Sequence, residues 1–95
     1  MDIISLYYFS EVAKDLHITK TAQRLYISQQ TLSNHIQRLE NQLGAQLLNR
    51  KPRLSLTYAG EFVLDFAEVV LREQTNLTDI LSDLEKNERG LIRFG

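Results

Sequence analysis

The sequence predicts a mainly α domain: three short helices, a two-stranded hairpin and a long fourth helix. Three observations predict it. Leu takes 16 of 95 positions and Pro only one, a composition that favours helix. Apolar residues recur at steps of three and four over most of the chain. One stretch, residues 47–56, departs from that period and alternates around a cluster of cations.

Residues 2–14 form an amphipathic pattern, with Leu6, Phe9, Val12 and Ala13 on one face of a 3.6-residue period. Thr19 is the expected N-cap of a second helix over Lys20–Tyr26. Ser28 is the expected N-cap of a third. In that third helix Leu32, Ile36, Leu39 and Leu43 repeat at steps of 4, 3 and 4, which defines one buried stripe. Gly44 then supplies a C-terminal stop.

Leu47, Leu48, Leu54 and Leu56 flank Asn49-Arg50-Lys51-Pro52-Arg53, which predicts two short strands around a basic turn. Pro52 falls in the turn, where its missing N–H costs nothing. Thr57 caps a long helix from Tyr58 to Arg89, and Gly60 in its first turn implies a close approach of two backbones. Gly90 ends that helix, and Leu91-Ile92-Arg93-Phe94 reads as the start of a strand. The second and third helices, joined at Ile27-Ser28, form a helix-turn-helix, and the hairpin is its wing. The expected organisation is a winged helix-turn-helix over 1–57 and a linker helix over 58–89.

Composition excludes several functions. At 95 residues there is room for one small core. The absence of cysteine removes disulfides, thiolate metal sites and a Cys nucleophile. His17 and His35 lack metal-binding spacing, and no Gly-rich phosphate loop is present, so no metal or cofactor is expected. Apolar runs stop at about three residues, far short of a membrane span. The opening Met1-Asp2-Ile3-Ile4-Ser5 lacks the basic start of a secretory signal, so the expected location is cytoplasmic.

The net charge of −1 hides an asymmetry: residues 1–57 carry +3 and residues 58–95 carry −4. Residues 20–53 hold six basic side chains and one acid, Glu40. With its apolar stripe buried, the third helix turns Gln29, Gln30, Ser33, Asn34, Gln37, Arg38 and Asn41 outward. A solvated face is ordinarily rich in Glu and Lys, whereas amides can pair bidentately with adenine in the major groove. Arg50, Lys51 and Arg53 crowd one turn, where they suit phosphates or a narrow minor groove.

The long helix carries a heptad seam of Ala59, Val63, Phe66, Val70, Glu73, Leu77, Ile80 and Leu84. Its ~32 residues extend roughly 48 Å, more than a small domain needs, and the seam fits a helix from a second copy. Phe62 and Val69 lie off the seam and are expected to pack back onto the helix-turn-helix. Two competing functions follow from other features. One is a non-catalytic protein-interaction module using the seam alone, which leaves the amide face and basic turn without a role. The other is a hydrolase pairing Ser28 or Ser33 with His35, which lacks a positioned acid and an oxyanion site.

From Leu6-Tyr7-Tyr8-Phe9 through Thr21-Ala22-Gln23-Arg24-Leu25, Ile27-Ser28-Gln29-Gln30-Thr31-Leu32-Ser33, Leu39-Glu40-Asn41-Gln42-Leu43-Gly44, Leu47-Leu48-Asn49-Arg50 and Leu56-Thr57-Tyr58-Ala59-Gly60, the chain resembles the DNA-binding region of LysR-type bacterial transcriptional regulators. The resemblance covers about residues 3–64, with a compatible linker helix beyond. It implies a winged helix-turn-helix, not an enzyme, whose linker helix pairs antiparallel with that of a second subunit. It also implies that Gln29, Gln30, Ser33 and Asn34 read bases, that Arg53 approaches the minor groove, and that Glu40 is structural.

The side chains expected to touch double-stranded DNA are Thr19, Lys20, Ser28, Gln29, Gln30, Thr31, Ser33, Asn34, Arg38, Arg50, Lys51 and Arg53. Those expected to form the homodimer are Ala59, Val63, Phe66, Val70, Leu77, Ile80 and Leu84. Four positions depart from the family's habit. Gln30 stands for Pro, Asn34 for Arg or Lys, His17 for Ser and Leu48 for Phe. The amide changes imply more adenine reading and less phosphate or guanine contact. In this family a small-molecule effector binds a separate C-terminal domain, whose first strand Leu91–Phe94 resembles, so the expectation is a chain cut just after its linker.

Overall fold

The computed structural model describes residues 1–90, with side chains through residue 87. The elements are α1 (Ile3–Asp15), α2 (Ile18–Arg24), α3 (Gln29–Leu43), β1 (Leu48–Asn49), β2 (Ser55–Leu56) and α4 (Tyr58–Gly90). The strand expected at Leu91–Phe94 lies outside the described residues.

Local chemistry explains where each helix begins and ends. The Asp2 carboxylate accepts from the Ser5 N–H at 3.0 Å and caps α1. Leu16 closes α1 in the left-handed conformation, its N–H donating to the Val12 carbonyl at 2.7 Å. The cap of α2 corrects the expectation. His17, not Thr19, is the N-cap, its Nδ1 accepting from the Lys20 N–H at 3.1 Å. A ring nitrogen two bonds from Cβ reaches the same N–H that a Ser hydroxyl would, so the helix starts at Ile18 and Thr19 sits within its first turn. It ends at Arg24, short of Tyr26, which turns the chain with φ of 59°.

Ser28 caps α3, accepting from the Thr31 N–H at 3.0 Å, and Gly44 ends it with φ of 67°. Thr57 caps α4 by accepting from the Gly60 N–H at 2.8 Å, while its own hydroxyl donates to the Gln46 carbonyl at 2.7 Å. Strands β1 and β2 pair antiparallel, Leu48 opposite Leu56 and Asn49 opposite Ser55.

One core joins these elements: Leu6, Phe9 and Val12 from α1, Ala22 from α2, Leu32, Ile36 and Leu39 from α3, Leu47 and Leu48 beside the wing, and Ala67 from α4. Each large apolar side chain buried there contributes about 1.5–3 kcal/mol. The α3 stripe is one residue shorter than predicted. Leu43 is 37% exposed, whereas Glu40, one turn earlier, is buried.

The packing of α4 also differs from the heptad expectation. Ala59, Val63 and Val70 are half-buried against the domain's own core. Phe62 and Val69, expected to pack inward, are 75% and 47% exposed. Small residues decide the choice. A Cβ on Gly60 would land on the Leu47 carbonyl oxygen, and Ala67 is fully buried, so the Ala59–Gly60–Val63–Ala67 side approaches most closely. Phe66, Leu77, Ile80 and Leu84 of the seam remain exposed.

Polar ties orient α2 on α1. Arg24 bonds Glu11 at 2.6 Å and Asp15 at 2.7 Å, and Lys14 bonds Glu11 at 2.7 Å. Thr21 donates to Asp15 at 2.7 Å. Burial pushes the Glu11 carboxyl upward, but the bonds from Lys14 and Arg24 outweigh it and hold it below its ordinary range. The Thr21 hydroxyl and then Arg24 do the same for Asp15.

Candidate nucleic-acid interface

The helix-turn-helix exposes one polar surface. Gln29, Gln30, Thr31, Asn34, Gln37, Arg38 and Asn41 are exposed along α3, while Ser33 is half-buried. Amides on this face are ordered in pairs one turn apart: Gln30 Nε2 donates to Asn34 Oδ1 at 3.0 Å, and Gln37 Nε2 to Asn41 Oδ1 at 3.2 Å. Ser28 also donates to Thr31 Oγ1 at 2.8 Å, so both expected contact residues serve the cap. Thr19 of α2 reaches across to α3 and donates to Gln29 Oε1 at 3.1 Å.

The wing is brought to the same side. Leu16, His17, Ile18 and Thr19 form a cleft with Arg50, Arg53 and Leu54, of about 330 Å³. The start of α2 therefore links the amides of α3 to the cations of the wing. Glu40 anchors the wing from below: its buried carboxylate accepts from the Leu47 N–H at 2.8 Å and the Leu48 N–H at 3.3 Å. Arg50 leans on the same carboxylate at 3.8 Å.

The structure sorts the expected cations into two groups. Arg50 is engaged with Glu40, and Arg38 pairs with Asp2 at 3.5 Å. Hydrogen bonds from Ser5, with Arg38 nearby, hold the Asp2 carboxyl below its usual range. Lys20, Lys51 and Arg53 are exposed and have no acidic partner among the described residues. These three present unpaired positive charge.

Two site features escaped the sequence reasoning. Asp2 is distant in sequence from Arg38, so their pairing had no local signal. His17 had one, its three-residue spacing to Lys20, but imidazole is not an obvious cap. His35 has Ser5 Oγ at 3.1 Å and the Tyr8 ring edge-on at 4.8 Å as its partners, on the side facing α1. Neither Ser28 nor Ser33 shares them. Among the described residues, no cluster of three or more His, Cys, Asp or Glu could hold a metal. No helix of the described residues is long and apolar enough to cross a membrane.

Comparison with known proteins settles the family. Residues 3–61 match the model of the bacterial regulatory helix-turn-helix protein, lysR family. The chain belongs to the LysR family. It is 39% identical over 95 residues to the HTH-type transcriptional regulator XapR of Escherichia coli strain K12, covering 99% of this chain and 32% of that protein. It is 35% identical to the regulator AlsR of Bacillus subtilis strain 168, covering 100% of this chain and again 32% of the relative. The chain thus spans about a third of the length of these relatives.

Among solved structures, the DNA-binding domain of BenM in complex with catB site 1 DNA superposes with a TM-score of 0.88. The identity is 32%, over 93% of this chain and 96% of that one. A CbnR DNA-binding domain–DNA complex gives 0.85 at 32% identity, over 90% and 99%. This LysR-family chain is therefore a helix-turn-helix DNA-binding domain of a transcriptional regulator, not an enzyme, with the winged, mainly helical fold that its sequence predicts.

Proposed function

We propose that this LysR-family domain binds double-stranded DNA sequence-specifically, as a homodimer, in the cytoplasm. The observation that carries the reading is the α3 surface: amides at Gln29, Gln30 and Asn34 joined through Thr19 to a wing whose exposed Lys51 and Arg53 have no acidic partner among the described residues. Helix α3 enters the major groove, with the amides against base edges. Lys20, Lys51 and Arg53 hold phosphates or the adjacent minor groove. Ser28 and Thr31 fix the helix start, and Ser33 lies between the amides and the core.

Residues 1–57 supply the reading head and 58–89 the spacer between two half-sites. The exposed apolar surface of α4, with Phe62, Phe66, Val69, Leu77, Ile80 and Leu84, faces a second copy. Ala59, Val63 and Val70, partly buried against the domain's own core, flank that face.

Selection from a randomised duplex pool at low and moderate salt tests both parts. Enrichment of an inverted repeat supports a dimeric reader. Retention at low salt without enrichment refutes base reading, and failure to bind at low salt refutes DNA binding. Light scattering checks the dimer: a species of only 11 kDa at high micromolar concentration would remove it.

A further inference from the structure

The exposed apolar side chains of α4 are spaced symmetrically about one charge. Packing against the domain's own core takes up Ala59, Val63 and Val70, and leaves Phe62, Phe66, Val69, Leu77, Ile80 and Leu84 exposed on one stripe. Phe62 and Leu84 each lie eleven residues from Glu73, Phe66 and Ile80 seven, and Val69 and Leu77 four. Eleven residues make about three helical turns, so the stripe runs nearly straight along α4. Glu73 stands in the middle of it, exposed, and its carboxylate has no hydrogen bond or ion pair among the described residues. The neighbouring charges Asp65, Glu68, Arg72, Asp79 and Asp83 lie about 80° or more round the helix from the stripe, as does Leu81.

Such a spacing is what a two-fold axis requires. In an antiparallel pair the axis sets each residue opposite the one equally far beyond the centre, so an isologous face must match itself. Centred on Glu73, Phe62 meets Leu84, Phe66 meets Ile80 and Val69 meets Leu77, each pair occurring twice. Sliding one helix by a heptad sets Glu73 against Phe66 and leaves Leu84 unmatched, or sets it against Ile80 and leaves Phe62 unmatched. The apolar match therefore fixes the register, and the register brings two Glu73 carboxylates together.

We infer that Glu73 lies on the two-fold axis of an antiparallel homodimer, against Glu73 of the second copy, where it sets the affinity of the pair. This rests on α4 pairing with a second copy, as proposed above. Like charges opposed between the Val69 and Leu77 side chains repel, and the apolar surroundings strengthen that repulsion. The stripe supplies the attraction, and Glu73 holds it below what the six apolar side chains alone give. A chain carrying a cation at this position is the better partner.

The chain lacks cysteine, so single substitutions report the register directly. Under mild oxidation Glu73→Cys is expected to cross-link to itself. Phe66→Cys and Ile80→Cys are expected to cross-link to each other when mixed, and not singly. Sedimentation equilibrium measures the affinities, and circular dichroism checks that helix content is kept. Glu73→Gln is expected to lower the dimer Kd roughly tenfold, and wild type mixed with Glu73→Lys should pair at least about tenfold more tightly than either alone. A dimer in which Glu73→Cys does not cross-link would put the axis elsewhere and overturn the inference while keeping the pairing of α4. Equal affinities for wild type, Glu73→Gln and the mixture would overturn it in the same way. A wild-type chain that sediments only as an 11 kDa monomer at high micromolar concentration would overturn the pairing of α4, and this inference with it.

Discussion

Glu40→Ala is expected to destabilise the domain by about 3 kcal/mol, worked as follows from its partners. The Glu40 carboxylate accepts from the backbone N–H groups of Leu47 and Leu48, and both of those residues are fully buried. Removing the carboxylate leaves two buried donors unpaired, at roughly 1–3 kcal/mol each. The contact with Arg50 adds less than about 1 kcal/mol, since the Arg50 side chain is 44% exposed and its separation is 3.8 Å. Glu40→Gln retains an acceptor oxygen for the two amides but loses the charge, so its cost falls to about 1 kcal/mol. Urea unfolding followed by far-ultraviolet circular dichroism, at one fixed protein concentration, measures both; the concentration matters because a dimer's stability depends on it. A loss below about 1 kcal/mol for the alanine variant would show that water replaces the carboxylate, and equal losses for the two variants would show that charge alone matters. Either result refutes the capping argument.

Gly60→Ala should cost about 1–3 kcal/mol by thermal melting, because the new Cβ meets the Leu47 carbonyl oxygen and backbone must shift to relieve it. Tyr26→Gly should raise stability by up to about 1 kcal/mol in urea unfolding, since Tyr26 is 95% exposed and holds a φ of 59°. Glu11, Asp15 and Asp2 all have lowered pKa values. A carboxylate with a lowered folded pKa stabilises above its unfolded pKa and loses that contribution as pH falls through the folded one. Unfolding free energy should therefore hold near neutrality and fall with acidity below the ordinary carboxylate values of 4.5 and 3.8, with a shallower fall in Glu11→Gln. Arg53→Ala should weaken DNA binding on all sequences and reduce the salt slope by about one; an unchanged slope removes Arg53 from the phosphates.

The helices and three of their caps were legible because their causes are local. Ser28, Gly44 and Thr57 each act within a turn of their own position, and the Leu32–Ile36–Leu39 period names its buried face without reference to a partner. The amide face of α3 followed by subtraction once that stripe was placed. The basic turn was equally plain, but which of its cations are available was not. Arg50 is drawn to Glu40 and Arg38 to Asp2, and such pairings between distant positions depend on how the helices stack.

The linker helix shows the division most clearly. Periodicity gives the angle of a residue about a helix axis, and α4 has apolar residues at more than one angle. Ala59, Val63, Phe66 and Val70 fit a heptad as well as any set, yet the domain takes Ala59, Val63 and Val70 into its own core and leaves Phe66 outside with Phe62 and Val69. The choice depends on distance, which no period contains. Gly60 and Ala67 let α4 come close on one side, and the bulk of Phe62 and Phe66 keeps it off on the other. The same applies to the Thr19–Gln29 bond. The sequence by itself determined which elements form and what chemistry each displays. The tertiary structure decided which side chains meet, because contact between helices depends on their separation and crossing, set jointly by every residue in the core.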